Sequence, residues 1–257
     1  NEIVSVEPSK TIINFFDRKI NYDYLYTFPF EINLINSWYF SIHEWTESLH
    51  MTTYTQKNVK TTHFIPSILP NTWWVIINKL KNKSKKEAFA WLSDDQYNKK
   101  WVSVFVYPET FLDIKNEILA KKDYLFFVFD DRNKIEWENI VQMPFMQIED
   151  YYDFLGVCDK NIVRWENSFI QAIIAKKPYL WDIYKENNDA HFYKVDEFWD
   201  FLGNKEYKEI LRVFNLENFK EWFLKFMDFE NESFFEEKGN YVLENCDYVK
   251  NVEKLVF

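Results

Sequence analysis

The chain has 257 residues, 47% hydrophobic and 21% aromatic, with 11 Trp, 16 Tyr and 26 Phe; this excludes a disordered chain and supplies a core that needs no disulfide staples. Against 31 Lys and Arg stand 41 Asp and Glu, a net charge of −10, which argues against general nucleic-acid binding through a basic face. The three glycines, Gly156, Gly203 and Gly239, are far apart, so the glycine-rich phosphate cradles of dinucleotide-binding and P-loop enzymes are excluded.

In chain order, Trp38, Ile42, Trp45 and Leu49 recur at helical spacing and predict a helix within residues 28–51. A second short helix is expected over residues 71–80, after Pro70. The run KLKNKSKKE (79–87) reads as a solvated cationic turn. Ala88–Leu92 and Trp101–Tyr107 read as the two strands of an antiparallel hairpin joined by SDDQYNKK. Pro108 to Ala120 reads as a helix, with proline at its start and acids in its first turns. Tyr124–Phe129 (YLFFVF) reads as a fully buried strand, parallel to the hairpin's second strand because a helix joins them. From about residue 147 the periodicity is helical, and Phe219, Trp222, Phe223 and Phe226 show its signature.

The fold class expected is α+β: a mixed N-terminal part (1–144) with a small three-stranded sheet and helices, followed by an acidic, mostly helical C-terminal part (145–257). The boundary near 144 is soft, and one continuous domain is the alternative. Residues 1–150 carry a net charge of −3 and residues 151–257 one of −7. Two phrases in the second part match in type at every position: IEDYYDFLG (148–156) and VDEFWDFLG (195–203). Each is expected to be a short helix with acids at its positive end and a glycine of positive φ as its stop. They are either a degenerate pair of helical units or convergent capping.

Cys158 and Cys246 form no metal-binding pattern and read as buried free thiols. His43, Glu47 and His50 share one helical face, but lack the i, i+4 histidine pair of zinc proteases. Asp94-Asp95 and Asp130-Asp131 follow apolar runs, as metal-holding aspartates do in sugar- and phosphoryl-transfer enzymes. Topology places the two pairs at opposite sheet edges, so they do not share an ion. Glu236-Glu237-Lys238 has a nuclease-like spacing but no strand to carry it. The segment DFENESFFEE (228–237) alternates acids with aromatics, the pattern of aromatic anchors inside a charged rim.

The composition favours a non-catalytic acidic binding protein that needs no cofactor or metal. Asp228, Glu230, Glu232, Phe234, Phe235, Glu236 and Glu237 would grip a basic protein partner. The concrete version is an immunity or antitoxin-type inhibitor of a bacterial toxin, with no nucleic-acid or membrane partner. The alternatives are a metal-dependent transferase using Asp130 and Asp131, or a structural scaffold subunit. The chain has no run of about 18 apolar residues for a membrane span and begins Asn-Glu-Ile without a signal-type stretch, so a cytoplasmic location is expected.

Overall fold

A computed structural model describes the backbone of three strands between residues 39 and 64, then residues 77, 80, 81, 83–130, 135–185, 195, 201–216, 218–247 and 250. The chain divides into two compact units, Asn1–Ile76 with Glu244–Phe257, and Ile77–Leu243. In the first, β1 (Tyr39–Ile42), β2 (Met51–Gln56) and β3 (Val59–Phe64) form a sheet of order β1-β3-β2. β1 runs parallel to β3 and β2 antiparallel to it. A strand thus occupies the end of the expected apolar stripe that holds Ile42. The threonine-rich runs MTTYTQ and VKTTHF suit strands because branched side chains pack well on a pleated surface. His43, Glu47, His50 and His191 lie outside the described residues, as does most of the helix expected over 71–80.

The second unit opens with two short helices, α1 (Lys85–Ala88) and α2 (Asp94–Asn98). Each begins with a capping box, Ser84 with Glu87 and Ser93 with Gln96. These boxes replace the expected hairpin. Asp94 and Asp95 stand in the first turn of a helix, at its positive end.

There follow β4 (Lys100–Val104), α3 (Pro108–Ala120), β5 (Tyr124–Val128), β6 (Ile140–Gln142), α4 (Ile148–Val157), β7 (Lys160–Arg164), α5 (Glu166–Ile174) and β8 (Tyr179–Asp182). Helices α6 (Lys205–Phe214), α7 (Phe219–Asp228) and α8 (Glu232–Asn245) complete the described elements. The five strands form one parallel sheet of order β6-β5-β4-β7-β8. This corrects the expected fold class: a doubly wound α/β sheet stands where a small sheet and a helical C-terminal part were expected. Residue 144 falls in the loop between β6 and α4, inside the second unit. The strands β6, β7 and β8 are short and almost wholly buried. Strands covered on both faces lose the alternation that marks a strand in sequence, so only the helices between them showed a period.

Alternate residues of the central strands feed two cores. Phe127 packs against Phe89, Trp101 and Phe154 of α4, at ring distances of 5.3, 4.8 and 5.1 Å. Its neighbour Phe126 reaches Phe223 of α7 on the other face, 6.4 Å away. Two lysines of the cationic run are spent inside the unit. Lys83 pairs with the buried Asp153 at 3.1 Å, and Lys85 pairs with Asp159 at 2.9 Å while lying over Trp101.

The repeated phrases end differently. α4 runs through Gly156 to Val157, whereas Gly203, after the helical Leu202, has a φ of 69°. Gly239 is required by close approach. A Cβ there would lie 2.6 Å from the Ile173 carbonyl oxygen and 2.5 Å from Lys176 Cγ. Beyond β8, the Asn215 carboxamide accepts the Ile183 N–H at 3.0 Å and donates to the Trp181 carbonyl at 2.9 Å. A parallel neighbouring strand would bind the same two groups.

At the opposite, amino edge of the sheet, Lys160 is buried and its Nζ donates to the carbonyls of Phe226 and Phe229 at 3.1 and 2.8 Å, closing the C-terminus of α7. Burial, seconded by Lys100, pushes the Lys160 ammonium down to about 8. A cation whose pKa falls on folding binds fewer protons in the native state, so its contribution is present above the unfolded value and is lost as pH falls through about 8. Urea melts of the wild type against Lys160→Met should therefore show the wild type gaining about 1–3 kcal/mol relative to the variant from about pH 8 to about pH 10.5. A constant difference across that window would remove the buried ammonium from the account.

Candidate functional site

Strand order locates the site. From β4 the chain leaves through α3 toward β5, and from β7 it leaves through α5 in the opposite direction toward β8. Adjacent strands with diverging connections open a crevice at their carboxyl ends, where ligands of doubly wound sheets bind. A cavity of about 580 Å³ lies there, lined by Tyr107, Pro108, Glu109, Leu112, Phe129, Asp130, Phe145 and Arg164.

Arg164 ends β7. Its guanidinium carbon lies 4.2 Å from the Phe105 ring centre, 4.6 Å from that of Trp165 and 5.2 Å from that of Tyr107. Nη1 donates to the Val106 carbonyl at 3.4 Å. Stacking on aromatic faces holds the planar cation in one orientation. Trp165 then opens α5 with φ 62° and ψ 148°, a conformation nearly confined to glycine that costs about 1–3 kcal/mol and clusters at functional sites. Neither Trp165 nor Tyr107, the residue before α3, caps its helix with its own side chain. Two helix amino ends, each a partial positive charge, therefore flank an oriented arginine. Leu112, Phe145, Trp165 and Tyr184 are exposed around this edge. The arrangement suits an anion, above all a phosphate, beside a flat or apolar group.

Asp182, at the carboxyl end of β8, is 1% exposed. Its Oδ2 accepts the Tyr107 N–H at 2.7 Å and its Oδ1 accepts the Thr110 hydroxyl at 3.1 Å. Burial pushes its carboxyl up to about 7, although both hydrogen bonds pull it back.

Of the residues named from sequence, Asp130 lines the cavity, while Asp131 lies outside the described residues. Among the described residues no group of three or more His, Cys, Asp and Glu gathers to hold a metal ion. The acidic segment sits elsewhere. Asp228 pairs with Lys121 at 2.8 Å and Glu230 with Lys100 at 3.3 Å, both at the amino edge of the sheet. Phe234 and Phe235 are buried against Tyr207. Glu232, Glu236 and Glu237 are exposed on α8, and Glu237 pairs with Lys238. The two rings hold α8 to the body and do not present anchors to a partner. Sequence reasoning missed Arg164, Trp165 and Asp182 because residues 160–182 read as helical. The signal it did contain is the Tyr107-Pro108 junction, a strand end meeting a helix start. Among the described residues no helix is long and apolar enough to cross a membrane.

A family model described as "Elongation-Factor P (EF-P) rhamnosyltransferase EarP" matches residues 84–256. The protein-arginine rhamnosyltransferase of Neisseria meningitidis serogroup B is 36% identical over 61 residues, 24% of this chain and 16% of that protein. That of Pseudomonas aeruginosa is 43% identical over 56 residues, 22% of this chain and 15% of that protein. The chain thus matches about a sixth of the length of these relatives. A solved structure described as "Structural basis for EarP-mediated arginine glycosylation of translation elongation factor EF-P" superposes with a TM-score of 0.55 at 17% identity, covering 74% of each chain. That likeness supports the same parallel-sheet fold. The family is one of enzymes, named for a translation factor. It overturns the expected non-catalytic, immunity- or antitoxin-type inhibitor and its basic toxin partner; surface charge alone cannot separate a partner-blocking protein from an enzyme with an acidic exterior. With two thirds of its length matched, this chain belongs to the EarP family of EF-P rhamnosyltransferases.

Proposed function

We propose that the unit Ile77–Leu243 binds an activated rhamnose donor, and that the protein transfers the sugar to an arginine of the translation factor EF-P in the cytoplasm, where translation factors work. The observation that carries this reading is Arg164, held by three rings at the carboxyl edge between two helix amino ends, together with the family match. In the transfer the bond from the anomeric carbon to the leaving phosphate oxygen breaks, a bond to the arginine nitrogen forms, and that nitrogen loses a proton. Negative charge grows on the leaving diphosphate. Arg164 and the N–H groups opening α5 stand where such charge is stabilised, in the way preorganised donors act on a developing anion. The exposed Phe145, Trp165 and Tyr184 offer faces to the apolar sides of the donor.

Incubating the protein with EF-P and nucleoside diphosphate rhamnose, followed by tandem mass spectrometry of EF-P, is expected to place one deoxyhexose on an arginine. Donor hydrolysis without arginine modification would reject EF-P as the acceptor. The absence of both donor binding and turnover would reject the donor-site reading itself.

A further inference from the structure

We infer that Asp182 is a positioning residue whose charge sets how strongly the cavity holds an anion, acting through the turn that opens α3; this rests on the reading of that cavity as a donor site. In a capping box the N3 side chain accepts a hydrogen bond from the N-cap amide. Here the N-cap residue is Tyr107 and N3 is Thr110, and the acceptor for the Tyr107 amide comes from β8, two strands away in the sheet. The Thr110 hydroxyl donates to the same carboxyl group. Asp182 therefore fixes where α3 starts, and with it the cavity wall made by Tyr107, Pro108, Glu109 and Leu112.

The same contact places a titratable charge at the amino end of α3. An ionised carboxylate there opposes a diphosphate in the neighbouring cavity, whereas a neutral carboxylic acid keeps both hydrogen bonds without the repulsion. The position lies at the boundary between the two states, since burial pushes the carboxyl up to about 7. The charged groups around the turn are Glu109 on α3, which raises that value further, and Lys185 after β8, which lowers it. Arg164 of β7 is the register partner of Asp182 and lies over the Tyr107 ring. A diphosphate bound beside Arg164 would in turn favour the protonated form, so binding takes up a proton.

The test uses the full chain and Asp182→Asn. The carboxamide still accepts from the Tyr107 amide and turns its NH2 group to the Thr110 hydroxyl. UDP-glucose, GDP-mannose and dTDP-glucose serve as probes because their diphosphate diesters keep constant charge near neutrality. Calorimetry should show wild-type affinity falling roughly five- to tenfold from about pH 6 to about pH 8, with the variant flat and tighter than the wild type at the higher pH. Equal slopes in the two proteins would overturn the proposal. The backbone amide resonance of Tyr107 gives an independent reading: it should titrate near pH 7 in the wild type and not in Asp182→Asn. If no probe binds either protein, the anion coupling is overturned. Persistence of the Tyr107 titration then places the failure in the donor-site reading, and its absence places it in the contact between Asp182 and α3.

Discussion

Replacing Arg164 by alanine is expected, on the proposed transferase function, to lower kcat/KM for rhamnosyl transfer by roughly 10²–10³. The guanidinium is the described cation that both lines the cavity and is fixed by stacking on Phe105, Tyr107 and Trp165. On the proposed donor-site reading, its loss would remove the positive charge set against the leaving group and the planar fork that would meet two phosphate oxygens at once. Arg164→Lys keeps the charge without the fork or the stacking, so it should recover only part of the loss. The assay is steady-state transfer to EF-P, with melting temperatures recorded in parallel, since the three rings also lose a packing partner. Activity within about threefold of wild type in a folded Arg164→Ala protein would put the anion site elsewhere.

For stability, Phe127→Ala should be the most damaging change described here, costing about 3–5 kcal/mol. Phe127 is fully buried on β5. It sits among Phe89, Trp101 and Phe154, so its ring joins the sheet to α4 and to the segment before α2. Removing it opens a cavity walled by aromatic rings, which cannot collapse to fill the space. Chemical denaturation would read the loss. A cost below about 1 kcal/mol is what a peripheral ring would give, and it would contradict the central place of this cluster.

The parts of the fold visible in sequence were those with a local signal. Pro108 opened α3 where a proline belongs, and YLFFVF marked β5 because an uninterrupted apolar run of six fits a strand buried on both faces. The helical joint between them made β4 and β5 parallel, as found. What stayed hidden depended on distant partners. The KNIVR and YLWD segments are five and four residues long and became strands through pairing with β4 and with each other. Once they are unread, the divergence of connections at β4 and β7 cannot be seen, and nothing separates Arg164 from the other three arginines of the chain. Ser93 and Gln96 did announce α2, but the apolar run before them was read as a strand and masked the cap. The acidic segment misled for a related reason: alternation of acid and phenylalanine looks alike whether the rings face solvent or, as with Phe234 and Phe235, the interior.

The carboxamide of Asn215 has a wider consequence. By occupying both outward groups at the end of β8, it satisfies a sheet margin that is buried and whose amide and carbonyl would otherwise need another strand or water. Together with the Tyr207 hydroxyl, which donates to the Tyr179 carbonyl, this side chain just past α6 lets the sheet end at β8, and an aliphatic residue at 215 would leave the Ile183 amide and the Trp181 carbonyl buried and unpaired, at a cost of about 1–3 kcal/mol for each.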